Sequence, residues 1–309
     1  LDTGCGNGTV PGDAGVCAML DYGIHGDHHG HPDKLNLVLY ALGQEFVLDP
    51  GRISYSVPEY QTWCRTTVAH NTVVINGRNQ EATTGELWHF EDTNTYAACL
   101  CATDKAYPGY LLKRFLVLTD DLLVDVLAVE SARKATMDWV LHCRGSMTSN
   151  VSFKPAESPE KDNGYQHLRS VQAAKGADSE CFSFEQTPGK ALRVVLADDG
   201  ESKLYSGIGI GYRLDDPVPF VMRRRTGKAT AFVTVYDLRG GNQGDVRVEC
   251  VPVKAGDQTL PEWSGIGLKV VRGKSAVTVG LDLRQKPEGK TTVEGEAFER
   301  VLVQSRTGH

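Results

Sequence analysis

The chain has 309 residues, 40% of them hydrophobic and 23% charged, with a formal net charge of -6. That composition supports a sizeable core and excludes a disordered chain, and no apolar run approaches the ~18 residues that a membrane-crossing helix needs. Lys and Arg gather only at Arg223-Arg224-Arg225, so neither nucleic acid nor membrane is an expected partner.

Position 1 is Leu, no basic and apolar leader follows it, and residues 1–15 are rich in Gly and Asp. The sequence is therefore expected to be the interior of a longer protein, cut at a loop. Beyond this segment helical periodicity is nearly absent, and β-rich runs alternate with Gly, Asp, Asn and Pro. Strands are expected at 16–22, 35–42, 45–49, 72–76, 87–101, 110–118, 122–130, 136–143, 191–198, 218–224, 229–237, 245–253, 266–271, 275–283 and 298–304. Asn76-Gly77 is a strong turn dipeptide. Hairpins are expected across Thr119-Asp120-Asp121, Arg225-Thr226-Gly227-Lys228 and Arg272-Gly273-Lys274. Tight hairpins join antiparallel strands. Residues 144–180 are polar and poor in apolar residues, an excursion or a seam between sheet halves. The expected fold is all-β: one large antiparallel multi-stranded β-sandwich over residues 1–309, with a seam near 144–180.

None of the eight Cys forms a CxxC pair, so a cysteine zinc site is not expected and mostly free, buried thiols are. The chemistry lies between Leu20 and Gln80, which hold five of the nine His, four of them from His25 to His31. His29-Gly30-His31 is an HxH unit, whose imidazoles point the same way on an extended chain. His31, Asp49 and His70 each sit at a strand end and form a His2Asp set suited to zinc; simple hydrogen bonding in a crowded loop is the alternative. A cupin would need a Glu where Lys34 and Leu35 stand, and a barrel amidohydrolase would need alternating strands and helices.

The runs His29-Gly-His-Pro-Asp-Lys-Leu35, Val47-Leu-Asp-Pro-Gly51 and Arg65-Thr-Thr-Val-Ala-His-Asn-Thr-Val-Val-Ile-Asn-Gly77 resemble the heparinase II/III-like polysaccharide lyases, in their C-terminal β-sandwich region. The resemblance is dense from about residue 20 to 80, and Asp138-Trp139-Val140-Leu141-His142 adds to it. It implies a partner that this chain lacks, an N-terminal α-helical toroid, and cleavage of uronate polymers of the heparan sulfate or alginate kind by β-elimination in the cleft between the two. It also implies a structural zinc on His31, Asp49 and His70. His29 corresponds to a cleft-facing histidine linked to catalysis.

Elimination needs a group that neutralises the uronate carboxylate, a base for the C5 proton and an acid for the leaving oxygen. The resemblance points to a Tyr in the loop between Asp49 and His70; Tyr60 is favoured over Tyr55. Arg65 is a candidate for the acidic sugar. Asn71 is read as a turn residue or a partner to a metal ligand. His25 and His28 are read as loop structure. Trp63, Trp88 and Trp139 are read as core packing rather than sugar platforms. A periplasmic location is expected, with cytoplasmic or secreted as alternatives; the oligomeric state is left open, a homodimer included. Two further functions compete: a non-catalytic carbohydrate-binding or scaffold module, and a zinc-dependent hydrolase.

Overall fold

The computed structural model describes residues 1–3, 15–177, 179–197, 201–241 and 246–307. Strands dominate it. Among the described residues the helical pieces are three 3-10 turns, at Asp27–His29, Thr67–Ala69 and Tyr165–His167, and one π turn at Tyr60–Cys64.

A 12-stranded antiparallel sheet organises the molecule. Its main path runs Ser146–Ser149, Ser179–Thr187, Lys190–Ala197, Pro217–Asp237, Leu122–His142, Tyr110–Leu118, Ala97–Thr103, Glu86–Asp92. Lys203–Ile210, Arg169–Lys175 and Lys154–Pro155 extend it from one half of Pro217–Asp237. Val73–Ile75 pairs with Leu122–His142.

Both faces of this sheet are covered, which explains why its central strands read as continuous apolar runs rather than as alternation. Leu123, Leu127 and Val129 join one core with Leu112, Leu116 and Leu118 and with Leu37, Leu39 and Phe46 of a four-stranded N-terminal sheet. Val124, Val126 and Ala128 join a second core with Phe115 and Val117, covered by Val248, Leu268, Val270 and Leu281 of the C-terminal strands. Each such side chain contributes roughly 1.5–3 kcal/mol by leaving water. The C-terminal strands form two four-stranded sheets, one ordered Val246–Val251, Gly265–Arg272, Ser275–Asp282, Val301–Thr307, the other Gln258–Thr259, Val253–Ala255, Thr291–Val293, Glu296–Phe298. The architecture is the expected β-sandwich, built of several antiparallel sheets.

Some boundaries differ from expectation. The run 87–101 is two strands, turned at Thr93–Tyr96, where the Thr93 hydroxyl accepts the Thr95 and Tyr96 amides. The turn expected at 225–228 is absent. Thr226 pairs with Thr136 and Gly227 with Ala135 inside the 21-residue strand Pro217–Asp237, and the register shifts between Gly227 and Ala229. A β-bulge that bends the strand stands where the sequence suggested a reversal. Leu122–His142 is likewise one strand. The hairpins at Thr119–Asp121 and Arg272–Lys274 form. Residues 144–180 supply strands of the large sheet that are mostly exposed, so no apolar signal marked them. Cys64, Cys99, Cys101 and Cys143 are free, buried thiols; Cys5 lies outside the described residues.

Candidate active site and metal site

Three segments converge: the loop after Val16–Asp21, the loop after Gln44–Val47, and the 3-10 turn before Val73–Ile75. The first makes a tight 3-10 turn over Asp27–His29. Gly30 is required there, because a Cβ would stand 1.6 Å from the His25 carbonyl oxygen. The loop then closes onto its surroundings. The buried Lys34 ammonium meets Asp21 at 3.1 Å and Asp33 at 3.2 Å. The Lys34 carbonyl accepts from Thr72 Oγ1 at 2.8 Å and Gln80 Nε2 at 3.1 Å, and Thr67 Oγ1 donates to the Pro32 carbonyl at 2.7 Å. Leu35 lies in the left-handed region at φ 64, a strained conformation for a side chain with a Cβ. Its carbonyl accepts from Arg114 Nη1 at 2.6 Å.

Within this frame the ligand atoms of His31, Asp49 and His70 lie within 4.8 Å of one another. His31 Nδ1 is 3.2 Å from His70 Nε2, and His70 Nε2 is 3.4 Å from Asp49 Oδ2. His70 is fully buried, and its Nδ1 lies 2.9 Å from the Thr66 carbonyl. A carbonyl only accepts, so Nδ1 carries a proton, and in the neutral ring Nε2 presents a lone pair to the other two residues. Asp49 is held in turn: Oδ1 accepts from the Gly51 amide at 2.6 Å and Oδ2 from Asn36 Nδ2 at 2.9 Å. A lone pair facing a carboxylate and a second imidazole is what a cation reconciles. Tetrahedral zinc with nitrogen and oxygen ligands at ~2.0–2.1 Å would set neighbouring ligand atoms about 3.3 Å apart, and two of the three spacings here, 3.2 and 3.4 Å, match it. The donor set fits zinc.

Burial lowers the His31 pKa, and the His70 ring adds to the effect while Asp49 opposes it; both leading causes favour the neutral imidazole that a metal needs.

Behind the ligands lies a support of which the sequence revealed only Asn71. Asn71 receives the His142 amide on Oδ1 at 2.6 Å and gives Nδ2 to the Leu37 and Leu48 carbonyls at 2.9 and 2.7 Å. Its own amide donates to Asn36 Oδ1 at 2.8 Å, and Asn36 holds Asp49. Asn71 thus reaches the ligand set through Asn36. Arg114 is fully buried, forks onto Asp125 at 2.8 and 2.6 Å, and gives Nη1 to the carbonyls of both Leu35 and Asn71. One guanidinium therefore ties down the chain just after both histidine segments.

The outer face differs. His29 is exposed, and its Nδ1 lies 2.8 Å from the hydroxyl of Tyr55, which is 52% exposed. The Arg52 guanidinium stands over the Tyr55 ring at 4.7 Å from its centre. Tyr60, only 4% exposed, packs edge-on beneath Tyr55 at 4.9 Å and against His31 at 6.2 Å. The structure thus brings His29 together with Tyr55 and places Tyr60 between that pair and the ligand set. Arg65 follows the π turn, and its charge contributes to lowering the His31 pKa. His28 is exposed, and the partly buried His25 lends its carbonyl to the tight approach at Gly30. Sequence reasoning missed Arg52, although a cation just after Asp49-Pro50-Gly51 in the Tyr-bearing loop was a usable signal. Trp63 and Trp139 are core residues, 0% and 1% exposed.

Comparison with known proteins follows the same lines. The profile of the family described as "Heparinase II/III-like, C-terminal" matches residues 9–210. The exo-oligoalginate lyase of Saccharophagus degradans is 26% identical, over 90% of this chain and 44% of that protein. An alginate lyase of Stenotrophomonas maltophilia is 31% identical, over 51% of this chain and 25% of that protein. Among solved structures, heparan sulfate lyase from Pedobacter heparinus superposes with a TM-score of 0.65 at 16% identity, covering 89% of this chain and 40% of that one. Heparinase III gives 0.63 at 14%, covering 96% and 40%. At these identities the superpositions establish the fold. The chain spans less than half the length of each of these relatives.

Proposed function

The chain belongs to the heparinase II/III-like family, and on that premise we propose that it forms the β-sandwich side of a polysaccharide lyase that cleaves a uronate polymer of the alginate kind by β-elimination. Alginate is preferred to heparan sulfate because both curated relatives that match in sequence carry an alginate-lyase name.

One observation carries the reading: the exposed His29–Tyr55 pair, at 2.8 Å, stands at the rim of the partly buried His31-Asp49-His70 set. Elimination removes the C5 proton, forms the C4–C5 double bond from that electron pair, breaks the C4–O4 bond and protonates O4. The Tyr55 hydroxyl is the proton-transfer group on this side of the cleft, and His29 orients it and exchanges its proton. Arg52 and Arg65 place positive charge where the uronate carboxylate must be neutralised before C5 becomes acidic. Tyr60 holds the Tyr55 ring in place. His31, Asp49 and His70 hold zinc, whose charge when bound pins the three converging loops. The remaining acid, base and carboxylate contacts come from the helical domain that the family resemblance implies.

Turnover of oligomannuronate by the protein with its helical domain tests this, followed by ultraviolet absorbance of the conjugated product. Elimination creates that chromophore and hydrolysis does not, which separates the lyase from a zinc hydrolase and from a scaffold module. Tyr55→Phe should lower turnover by about 10²–10⁴-fold, the usual worth of positioned proton transfer. Full activity in Tyr55→Phe would sink the assignment.

A further inference from the structure

Trp88 packs on the core as expected but is only partly buried, and its outer side, with Trp263, lines a groove that the lyase reading does not use. Two adjoining cavities share Asp104 and Leu111. The larger, about 840 Å³, reaches Tyr110, Lys228 and Trp263; the smaller, about 340 Å³, reaches Trp88, Lys105 and Gln285. Both tryptophans pack on the core between the large sheet and the C-terminal strands. Tyr60, below the His29–Tyr55 rim, belongs to a different cluster. Neither cavity is lined by His29, Tyr55, Tyr60 or the His31-Asp49-His70 set, so the groove is distinct in its residues from the candidate active site.

Its aromatic walls are fixed in advance. The Lys113 ammonium pairs with Glu130 and donates to the Trp263 carbonyl at 2.5 Å, which staples the Trp263 loop to the strand Tyr110–Leu118. Trp88 Nε1 donates to Glu86 Oε2 at 3.2 Å. A loop and an indole held this way, each also packed on the core, lose little freedom when a ligand arrives. The charge along the groove has both signs: Asp104, Glu86, Lys105 and Lys228 are exposed, and Glu130 is paired with Lys113. Such a surface suits neither a greasy peptide nor a polyanion that needs a basic stripe. It suits pyranose rings, whose C–H faces stack on indole while their hydroxyls donate to carboxylates and accept from ammonium and amide groups.

We propose that the Trp88–Trp263 groove is a second, non-catalytic saccharide site that takes a short run of pyranose units. This stands on the groove alone and does not depend on the lyase reading. The sugar is either a stretch of the uronate substrate remote from the cleavage point or a neutral glycan, and the experiment tells them apart. Calorimetric titration with an oligomannuronate and with a neutral gluco-oligosaccharide is run on the wild type and on Trp88→Ala, Trp263→Ala, Trp263→Phe, Lys228→Ala and His29→Ala. Binding at the groove should weaken about tenfold in either Trp→Ala variant, about 1.4 kcal/mol for one lost aromatic face. It should survive in Trp263→Phe and in His29→Ala. Uronate binding alone, weakened by Lys228→Ala, assigns the substrate polymer; binding of both sugars assigns pyranose stacking without regard to charge. Lys228 is exposed, so that variant stays informative if a Trp→Ala chain fails to fold. The proposal is overturned if neither sugar binds, or if binding is lost in His29→Ala and unchanged in the groove variants.

Discussion

The turn that carries His29 and His31 has two sides, and they are built differently. His29 stands in solvent with Tyr55 and Arg52, held by a single 2.8 Å contact and a ring stack. His31 turns inward to a fully buried His70 and to an Asp49 whose two oxygens already hold an amide and an amide side chain. Few contacts define the first group and a continuous buried network defines the second. A side chain that must meet a substrate is left room, whereas a set that must present lone pairs to an ion is over-determined from behind by Asn36, Asn71 and Arg114. The proposed division of labour, proton transfer outside and metal inside, follows from that contrast.

The contrast breaks most severely at Arg114. Arg114→Met strands the buried Asp125 carboxylate and releases the Leu35 and Asn71 carbonyls, with an expected loss of about 3–5 kcal/mol. Replacing both partners, Arg114→Met with Asp125→Leu, should recover much of it. Thermal unfolding checks both, and an unchanged midpoint in the single variant would show that the clamp supports nothing.

A smaller effect comes from His142, whose Nε2 lies 2.8 Å from the Val68 carbonyl. Burial pushes its pKa down to about 4, a little aided by the His70 ring and opposed by the Val68 bond. Between the unfolded value of about 6.5 and about 4, the unfolded chain binds a proton that the folded chain does not, so stability falls as pH falls through this window. The expected loss is up to ~3 kcal/mol, seen in urea unfolding at stepped pH, and the slope should flatten in His142→Gln.

The smallest effect sharpens the comparison. Tyr60→Phe keeps the ring that packs under Tyr55 and removes only a hydroxyl, so turnover should change less than about threefold, against the large loss in Tyr55→Phe. Equal losses in the two would erase the distinction between rim and interior.

Much of this was legible in the sequence where the signal is local. Short turns such as Thr119–Asp121 and Arg272–Lys274 carry their own chemistry, and His31, Asp49 and His70 stand out by residue type. Thr226-Gly227 misled because the same residues serve a bulge as well as a turn, and only the partner at Thr136-Ala135 decides which. The choice between Tyr55 and Tyr60 was not legible, since burial of one of two tyrosines five positions apart depends on what packs over them. Arg114 and Gln80 were invisible for a stronger reason: their partners lie 79 and 46 residues away in the chain, and neither residue type announces a carbonyl clamp.

The partly buried His31-Asp49-His70 set should hold a metal independently of the exposed His29–Tyr55 pair. Elemental mass spectrometry of the purified chain, after zinc is supplied and excess removed, tests it most directly. About one zinc per chain is expected in the wild type and in Tyr55→Phe, and none in His31→Ala. No zinc in the wild type, or zinc retained by His31→Ala, would contradict it.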